Sequence, residues 1–528
     1  MALENPIIYQ LFEPNYTIYH RASLGGLAAT ITAWGEEQPL GITAKVKPDS
    51  IEIHWCLVLT EQEVLRRLLE ASFRLTGDKN KQMIDLPGQF IDQNSPGLRL
   101  AVHEGLCLTF LQHNKMRPGP KGSVSFDLKS VDDDQGNILT YKAVNSYAHQ
   151  KAQGTGLLDE VKLSKKESRL PGQLPEIATI PQSIVPGAMA GSKALEASPQ
   201  EAFLLLYLMV GCQVFLLRPR TYKEKAQACL VIPDVIDLKR FASDAKRLTS
   251  QTQNKQTYFT NSYLGRVVGG AEEAALKFLI EFQAGWVSRK KSIAGVRAIA
   301  MGKVPWDKNQ INRSLSIKVT GDYREIDVFK QANLRLGGSK LLKTKKDQSF
   351  AVPISPVPEL IAANLAAQRH WCAHFLDLVS KKYDFQRMLF NRRGLNEMAK
   401  AVKDEIDRVI IHAFYDAWKR IRGQLWERAD NEKLGTEGYY RLLEVRSERI
   451  RNEILRLKTP DLLANWFLRF CADATRGKNL GVISDNPEQI RKFIFSSRNF
   501  NRFQNLLLFA LVSYKRENFE SSNQSGDK

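Results

Sequence analysis

Over residues 359–514 the apolar residues recur almost entirely at helical spacing, in segments that stop at glycine or proline. Helices are expected over 359–382, 396–431, 437–457, 461–474, 487–495 and 501–514. Their breaks fall at Gly435, Thr459 with Pro460, Gly477, and Asn486 with Pro487. Amphipathic stripes in that order have to bury one another, so 358–517 is expected to be an all-α bundle. Residues 518–528 are polar and are expected to be a disordered tail.

Upstream the pattern is mixed. An Ala- and Leu-rich stretch over 16–34 carries Gly25 and Gly26 and suits a helix that packs closely on a neighbour. Residues 51–59 suit a strand. Thr60-x-x-Glu63 then has the form of a capping box ahead of a helix carrying Val64, Leu68 and Leu75. Residues 98–111 suit two strands joined at Glu104 and Gly105, and 123–144 a hairpin turning within 132–137. Residues 151–200 are broken by Pro171, Pro175, Pro181, Pro186 and Pro199, the pattern of an arm or linker. The chain then regains order over 201–357, with a buried element at 202–217, a strand at 229–232, and helices at 235–248 and 271–282. The fold class is therefore α+β: a mixed α+β part (1–150), an arm, a mixed α/β basic part (201–357), and the helical bundle.

The chain carries 76 Lys and Arg against 57 Asp and Glu, a formal charge of +19. An excess of that size favours a polyanionic partner. Six cysteines, none at C-x-x-C spacing, make neither a disulfide framework nor a paired zinc site. The first residues lack a basic n-region, and the longest apolar run is shorter than the ~20 residues a membrane span needs. A reduced, cytoplasmic protein with no membrane contact is expected.

The catalytic motifs fail on inspection. His370 and His374 stand four apart as on one helix face, yet Trp371 occupies the position where a metalloprotease needs Glu. The aspartates from Asp132 lack a calcium loop's sixth-position Gly and twelfth-position Glu. Gly154-Thr-Gly156 and Gly337-Gly338-Ser339-Lys340 are incomplete phosphate-binding signatures, and there is no G-x-S-x-G elbow. No catalytic residue, metal or cofactor is expected.

Nucleic-acid signals are stronger. Residues 289–346 hold fifteen basic side chains against four acidic ones. Arg289, Lys290, Lys291, Arg297, Lys303, Lys340, Lys343, Lys345 and Lys346 are the phosphate-binding candidates, acting through counterion release. Arg491, Lys492, Arg498 and Arg502 are candidates for holding a single strand. The amide-rich stretch 250–262 offers Gln251, Gln253, Asn254, Lys255 and Asn261 for reading groove edges.

Two blocks bear on identity: YQLFEPNYTIYHRASLGGLAATITAW (9–34) and RPRTYKEKAQACLVIPDVIDLKRF (218–241). They resemble the large subunit of type I CRISPR interference complexes (Cascade), in the cyanobacterial and myxobacterial branch near type I-B. That resemblance implies a non-catalytic subunit of a guide-RNA surveillance complex, seated at the 5′ handle of the guide. It would recognise the protospacer-adjacent motif in double-stranded DNA, promote strand separation and R-loop formation, and hold the displaced strand. Its partners would include the backbone and small subunits and the helicase–nuclease it recruits. In related systems the small subunit arises by internal initiation, for which Met388 and Met398 are candidate starts. Three readings compete: a nucleic-acid-processing enzyme with a dispersed metal site, a general single-strand-binding protein, and a structural subunit held by acidic partners.

Overall fold

A computed structural model describes residues 6–92, 95–111, 117–130, 133–147, 174, 177–180, 185, 195–217, 227–253, 269–282, 291–301, 316–320, 325–343, 349–475 and 485–515. The chain divides into two compact units, Met1–Gly321 and Asp322–Lys528. The first is mixed α+β and helices dominate the second.

The first unit is built around one helix. Strand β1 (Ile7–Gln10) leads into α1 (Ile18–Trp34), and β2 (Ile42–Val46) and β3 (Ser50–Trp55) complete an antiparallel sheet of order β1-β3-β2. The Thr17 side chain accepts a hydrogen bond from the Tyr19 amide, and His20 Nδ1 accepts one from the Thr17 amide, closing a capping box. Fourteen of the seventeen α1 residues are buried, the mark of a helix enclosed on every side. Helix α2 (Glu61–Ser72) begins at the Thr60–Glu63 box read from the sequence. Strands β4 (Arg74–Thr76) and β5 (Met83–Asp85) pair next.

Residues 98–111 are not two strands. They lie largely in helix α3 (Pro96–Leu108), which starts with Pro at its first turn and buries Leu98, Leu100, Val102 and Leu106. The hairpin of β6 (Val124–Ser130) and β7 (Asp133–Tyr141) is present, but Ser130 pairs with Asp133, so Asp133 to Asn137 belong to a strand rather than the turn. Strands β8 (Ala178–Ile180) and β9 (Leu195–Ala197) pair within the stretch expected as an arm.

The apolar run at 202–217 is two helices and a strand: α4 (Pro199–Leu206), α5 (Leu208–Gly211) and β10 (Gln213–Leu217). With β11 (Gln227–Val235), β12 (Ile293–Ala300) and β13 (Ser316–Thr320), β10 makes an antiparallel sheet of order β10-β11-β12-β13. Helices α6 (Leu238–Gln253) and α7 (Ala271–Phe282) complete the unit. Helix α1 crosses α5 where Gly26 meets Gly211. A Cβ on Gly26 would strike the Tyr207 carbonyl oxygen and lie 2.7 Å from the Gly211 amide nitrogen, so the close approach expected of the glycine pair is real.

The second unit opens with α8 (Ile326–Leu336) and the hairpin of β14 (Ser339–Lys343) and β15 (Ser349–Pro353). It continues through α9 (Val357–Ala366), α10 (Lys382–Phe390), α11 (Arg392–Lys400), α12 (Glu405–Asn431), α13 (Gly435–Arg456), α14 (Pro460–Thr475), α15 (Pro487–Ile494) and α16 (Phe500–Ser513). Helix α16 is its core, with Phe503 and Leu506 to Leu511 buried. The single helix expected over 359–382 breaks after Ala366. Gln368 and His374 adopt left-handed φ of 55° and 60°. Asn364 Nδ2 then caps the exit by donating to the carbonyls of Trp371 (3.0 Å) and Ala373 (2.6 Å). His370 and His374 therefore do not share a helix face.

Candidate nucleic-acid interface

The two sequence blocks that carry the family resemblance meet in space. Arg21, from α1, sends Nε to Asp234 Oδ1 of β11 at 2.6 Å and Nη1 to the Tyr16 carbonyl at 3.2 Å. His20 Nε2 lies 2.8 Å from Glu201 Oε1, and its ring stacks on Tyr16 with centroids 4.7 Å apart. Arg297 of β12 lies with its guanidinium carbon 6.0 Å from the Tyr19 ring centroid. Burial raises the Tyr19 hydroxyl pKa, and the hydrogen bond and charge of Arg297 partly offset it.

These groups wall a cavity of about 570 Å³, with Tyr16, Arg21, Glu196, Glu201, Asp234 and Arg297 among its lining. Three carboxylates face two guanidinia there. A mixed-charge cavity of this kind gives a bare polyanion little net attraction, so phosphate binding has to be sought on the basic surfaces.

The other sequence candidates are placed as follows. Lys291 is half-buried immediately before β12, and Arg297 sits opposite Ile232 and Lys318 in the sheet register. Gln251 and Gln253 belong to the last turn of α6 rather than a loop, because the helix runs past Leu248 and Ser250 Oγ donates back to the Lys246 carbonyl at 2.9 Å. Asn254, Lys255, Asn261, Arg289, Lys290, Lys303, Lys345 and Lys346 lie outside the described residues. Lys340 and Lys343 are in β14, opposite Val352 and Ser349.

In the second unit Arg491 and Lys492 are exposed on α15, and Arg498 is exposed in the 3-10 turn that follows. Arg502 stands apart from them. Its Nη2 is 2.8 Å from Asp404 Oδ1 and 2.7 Å from Asp407 Oδ1, and its guanidinium packs on the Phe493 ring.

Asp407 is the centre of a network that no sequence motif announced. It has no exposed surface, and its Oδ2 accepts from His370 Nε2 at 2.7 Å and from the Trp371 indole at 3.1 Å. Burial pushes its pKa up, but His370 and Arg502 together outweigh that and hold the carboxyl below its ordinary value. The His103–Cys107 pair, 3.7 Å apart, looks like a nucleophile with its base. Burial drives that thiol up to about 12 and that imidazole down to about 4, the opposite of an activated thiolate–imidazolium pair. Among the described residues no group of three or more metal-ligating side chains comes together, and no helix is long and apolar enough to cross a membrane.

Comparison with known proteins finds similarity at both ends of the chain. Residues 8–206 match the DevT N-terminal domain family, and residues 399–528 match the DevT C-terminal domain family. A CRISPR-associated protein Cas8a1/Csx13 of Myxococcus xanthus (strain DK1622) is 27% identical over 399 residues, covering 71% of this chain. The chain spans 64% of the length of that relative. The chain is thus similar at both ends to DevT domains and through most of its length to a Cas8-named protein.

Proposed function

We propose that this protein is the non-catalytic large subunit of a type I CRISPR interference complex, in the branch near type I-B. In that role it sits at the 5′ handle of the guide RNA, recognises the protospacer-adjacent motif in double-stranded DNA, and helps open the duplex into an R-loop. It also contacts the displaced strand, the backbone and small subunits, and the helicase–nuclease. The observation that carries this reading is the likeness at both ends of the chain to DevT domains, together with the Cas8-named relative. The basic stretch 289–346 supplies the charge such a role needs. In such complexes base pairing reads most of the sequence, and protein reads a short motif and backbone shape.

The test is target-duplex binding by the guide-loaded complex, with and without this subunit, across a library randomised beside the target. A short flanking motif selected only when the subunit is present is the expected result. Equal selectivity without it removes the recognition role. A second measurement addresses the basic stretch. Neutralising Lys340, Lys343, Lys345 and Lys346 together is expected to weaken DNA binding and to flatten its salt dependence by about 0.9 per lost phosphate contact. An unchanged slope takes these lysines off the binding surface.

A further inference from the structure

The second unit holds two half-buried arginines that no carboxylate answers. Arg392 opens α11, and among the described residues it makes neither an ion pair nor a hydrogen bond; its Nε is buried without a partner. The side-chain nitrogen of the neighbouring Asn391 is buried and unpartnered too. Arg422 of α12 donates from Nε to the Tyr439 hydroxyl at 3.3 Å, and its guanidinium carbon lies 5.3 Å from the Tyr514 ring centroid. It also makes no ion pair among the described residues. Arg502, by contrast, lies between Asp404 and Asp407.

The fold draws the two arginines together at the end of α16. The Tyr415 hydroxyl of α12 is hydrogen-bonded to Ser513 Oγ at 2.8 Å and to the Asn396 side chain of α11, and its ring meets Tyr514 edge-on with centroids 5.4 Å apart. Arg392 stands one turn before Asn396, and Arg422 two turns after Tyr415, so both arrive at the same phenol ring. Burial and the Arg422 charge lower the pKa of Arg392, against which Tyr439 and Tyr514 act in the opposite sense. No carboxylate is among the groups that act on it. Of the acids on adjoining turns, Glu397 pairs with Lys400 and Glu432 with Arg428.

Two guanidinium groups held together in a partly desolvated place, with buried donors unmade, are unfavourable until an anion completes the set. The Tyr439 hydroxyl accepts from Arg422, which leaves its own proton to donate. The three donors come from three helices, α11, α12 and α13. A tetrahedral oxyanion, whose oxygens do not share one plane, meets such a set better than a flat carboxylate does, and the guanidinium fork matches it two oxygens at a time. We propose that Arg392 and Arg422, with the Tyr439 hydroxyl, form a site for one phosphate group, supplied by a nucleic-acid backbone. The source rests on the nucleic-acid reading above, whereas the oxyanion chemistry stands without it.

The experiment follows thermal unfolding of the full chain in sodium phosphate and in sodium chloride of equal ionic strength, and anisotropy of a labelled single strand. Phosphate stabilises folded proteins in general, so the readout is the difference between wild type and variant. Arg392→Met and Arg422→Met are each expected to gain less from phosphate than wild type does, because bound ligand raises the midpoint only where its site is intact. In chloride, Arg392→Met is expected to unfold no lower than wild type, since Arg392 has no protein partner to lose, which separates a lost site from a lost fold. Each variant is expected to bind the strand roughly tenfold more weakly at fixed salt and to lower the salt slope by about 0.7. Arg392→Lys is expected to keep the slope and lose part of the affinity, because a point charge does not fork. A wild-type gain from phosphate in both methionine variants overturns the site. A reduced gain with strand affinity and slope unchanged overturns the backbone as its source and leaves the nucleic-acid reading to other surfaces. A specific gain seen only in Glu517→Gln/Glu520→Gln overturns the proposal by assigning the arginines to acids of this chain. A wild-type chain that binds neither single strand nor duplex overturns the nucleic-acid reading itself, and the phosphate comparison then decides the site alone.

Discussion

Gly26→Ala is expected to be the most damaging small substitution in the first unit, lowering its thermal midpoint by roughly 2–6 °C. The added methyl would collide with the Tyr207 carbonyl and the Gly211 amide, both backbone atoms that no rotamer change can move. Helices α1 and α5 would have to separate, and overpacking of this kind costs typically about 1–3 kcal/mol and sometimes more. For a unit of this size, each kcal/mol corresponds to roughly 2 °C. The Tyr207 hydroxyl bonds Ser72 Oγ at 2.8 Å, so a shift of α5 also disturbs its tie to α2. Gly423 in α12 is the control. Nothing lies within 4 Å of its would-be Cβ, and Gly423→Ala is expected to stabilise the second unit by up to about 1 kcal/mol through helix propensity. Calorimetry of the full chain reads both, and a Gly26→Ala midpoint within a degree of wild type would contradict the close crossing.

In the second unit the corresponding residue is Asp407. Asp407→Ala is expected to destabilise it by about 3–5 kcal/mol, because the change strips a buried carboxylate from between the Arg502 guanidinium and the His370 imidazole. Arg502 would retain Asp404, but His370 and the Trp371 indole would each lose the oxygen they share. The same network predicts a pH dependence. The folded-state pKa of Asp407 lies below its ordinary value, so its contribution is complete above the unfolded carboxyl pKa of about 3.9 and is lost as pH falls through the lower folded value. Urea unfolding of wild type and Asp407→Ala should therefore differ most above pH 5 and converge on acidification. A gap between them that stayed constant down to pH 2 would show that Asp407 acts through packing rather than charge.

What was legible in the sequence was local. The Thr60–Glu63 box and the breaks at Gly435, Pro460 and Pro487 each depend on residues within one turn, and each matches a helix boundary within two residues. Leu98, Leu100 and Val102 alternate as a strand would, yet they lie in α3. The Pro96 start and the fit of Gly105 against Val214, 3.2 Å from its would-be Cβ, belong to tertiary packing that period-2 counting ignores. The break after Ala366 carries neither glycine nor proline. It depends on Asn364 reaching seven and nine residues ahead, which no propensity scale records. The candidate sites show the same division. Clustered charge was visible as composition, whereas the Arg21–Asp234 pair spans 213 residues and the Asp407–Arg502 pair 95.

Enclosing α1 on all sides also has a consequence for biosynthesis. The segments that cover most of it, α5, β11 and α6, begin at residue 208 and end at residue 253. At about 5–20 residues per second, a ribosome takes roughly 10–40 seconds to make the intervening chain. Throughout that interval one of the most apolar segments of the protein has little beyond β2 and the turn at Pro87–Gln89 to pack against. A nascent chain truncated before residue 208 is therefore a natural client for trigger-type holding chaperones, and one that reaches residue 253 is not.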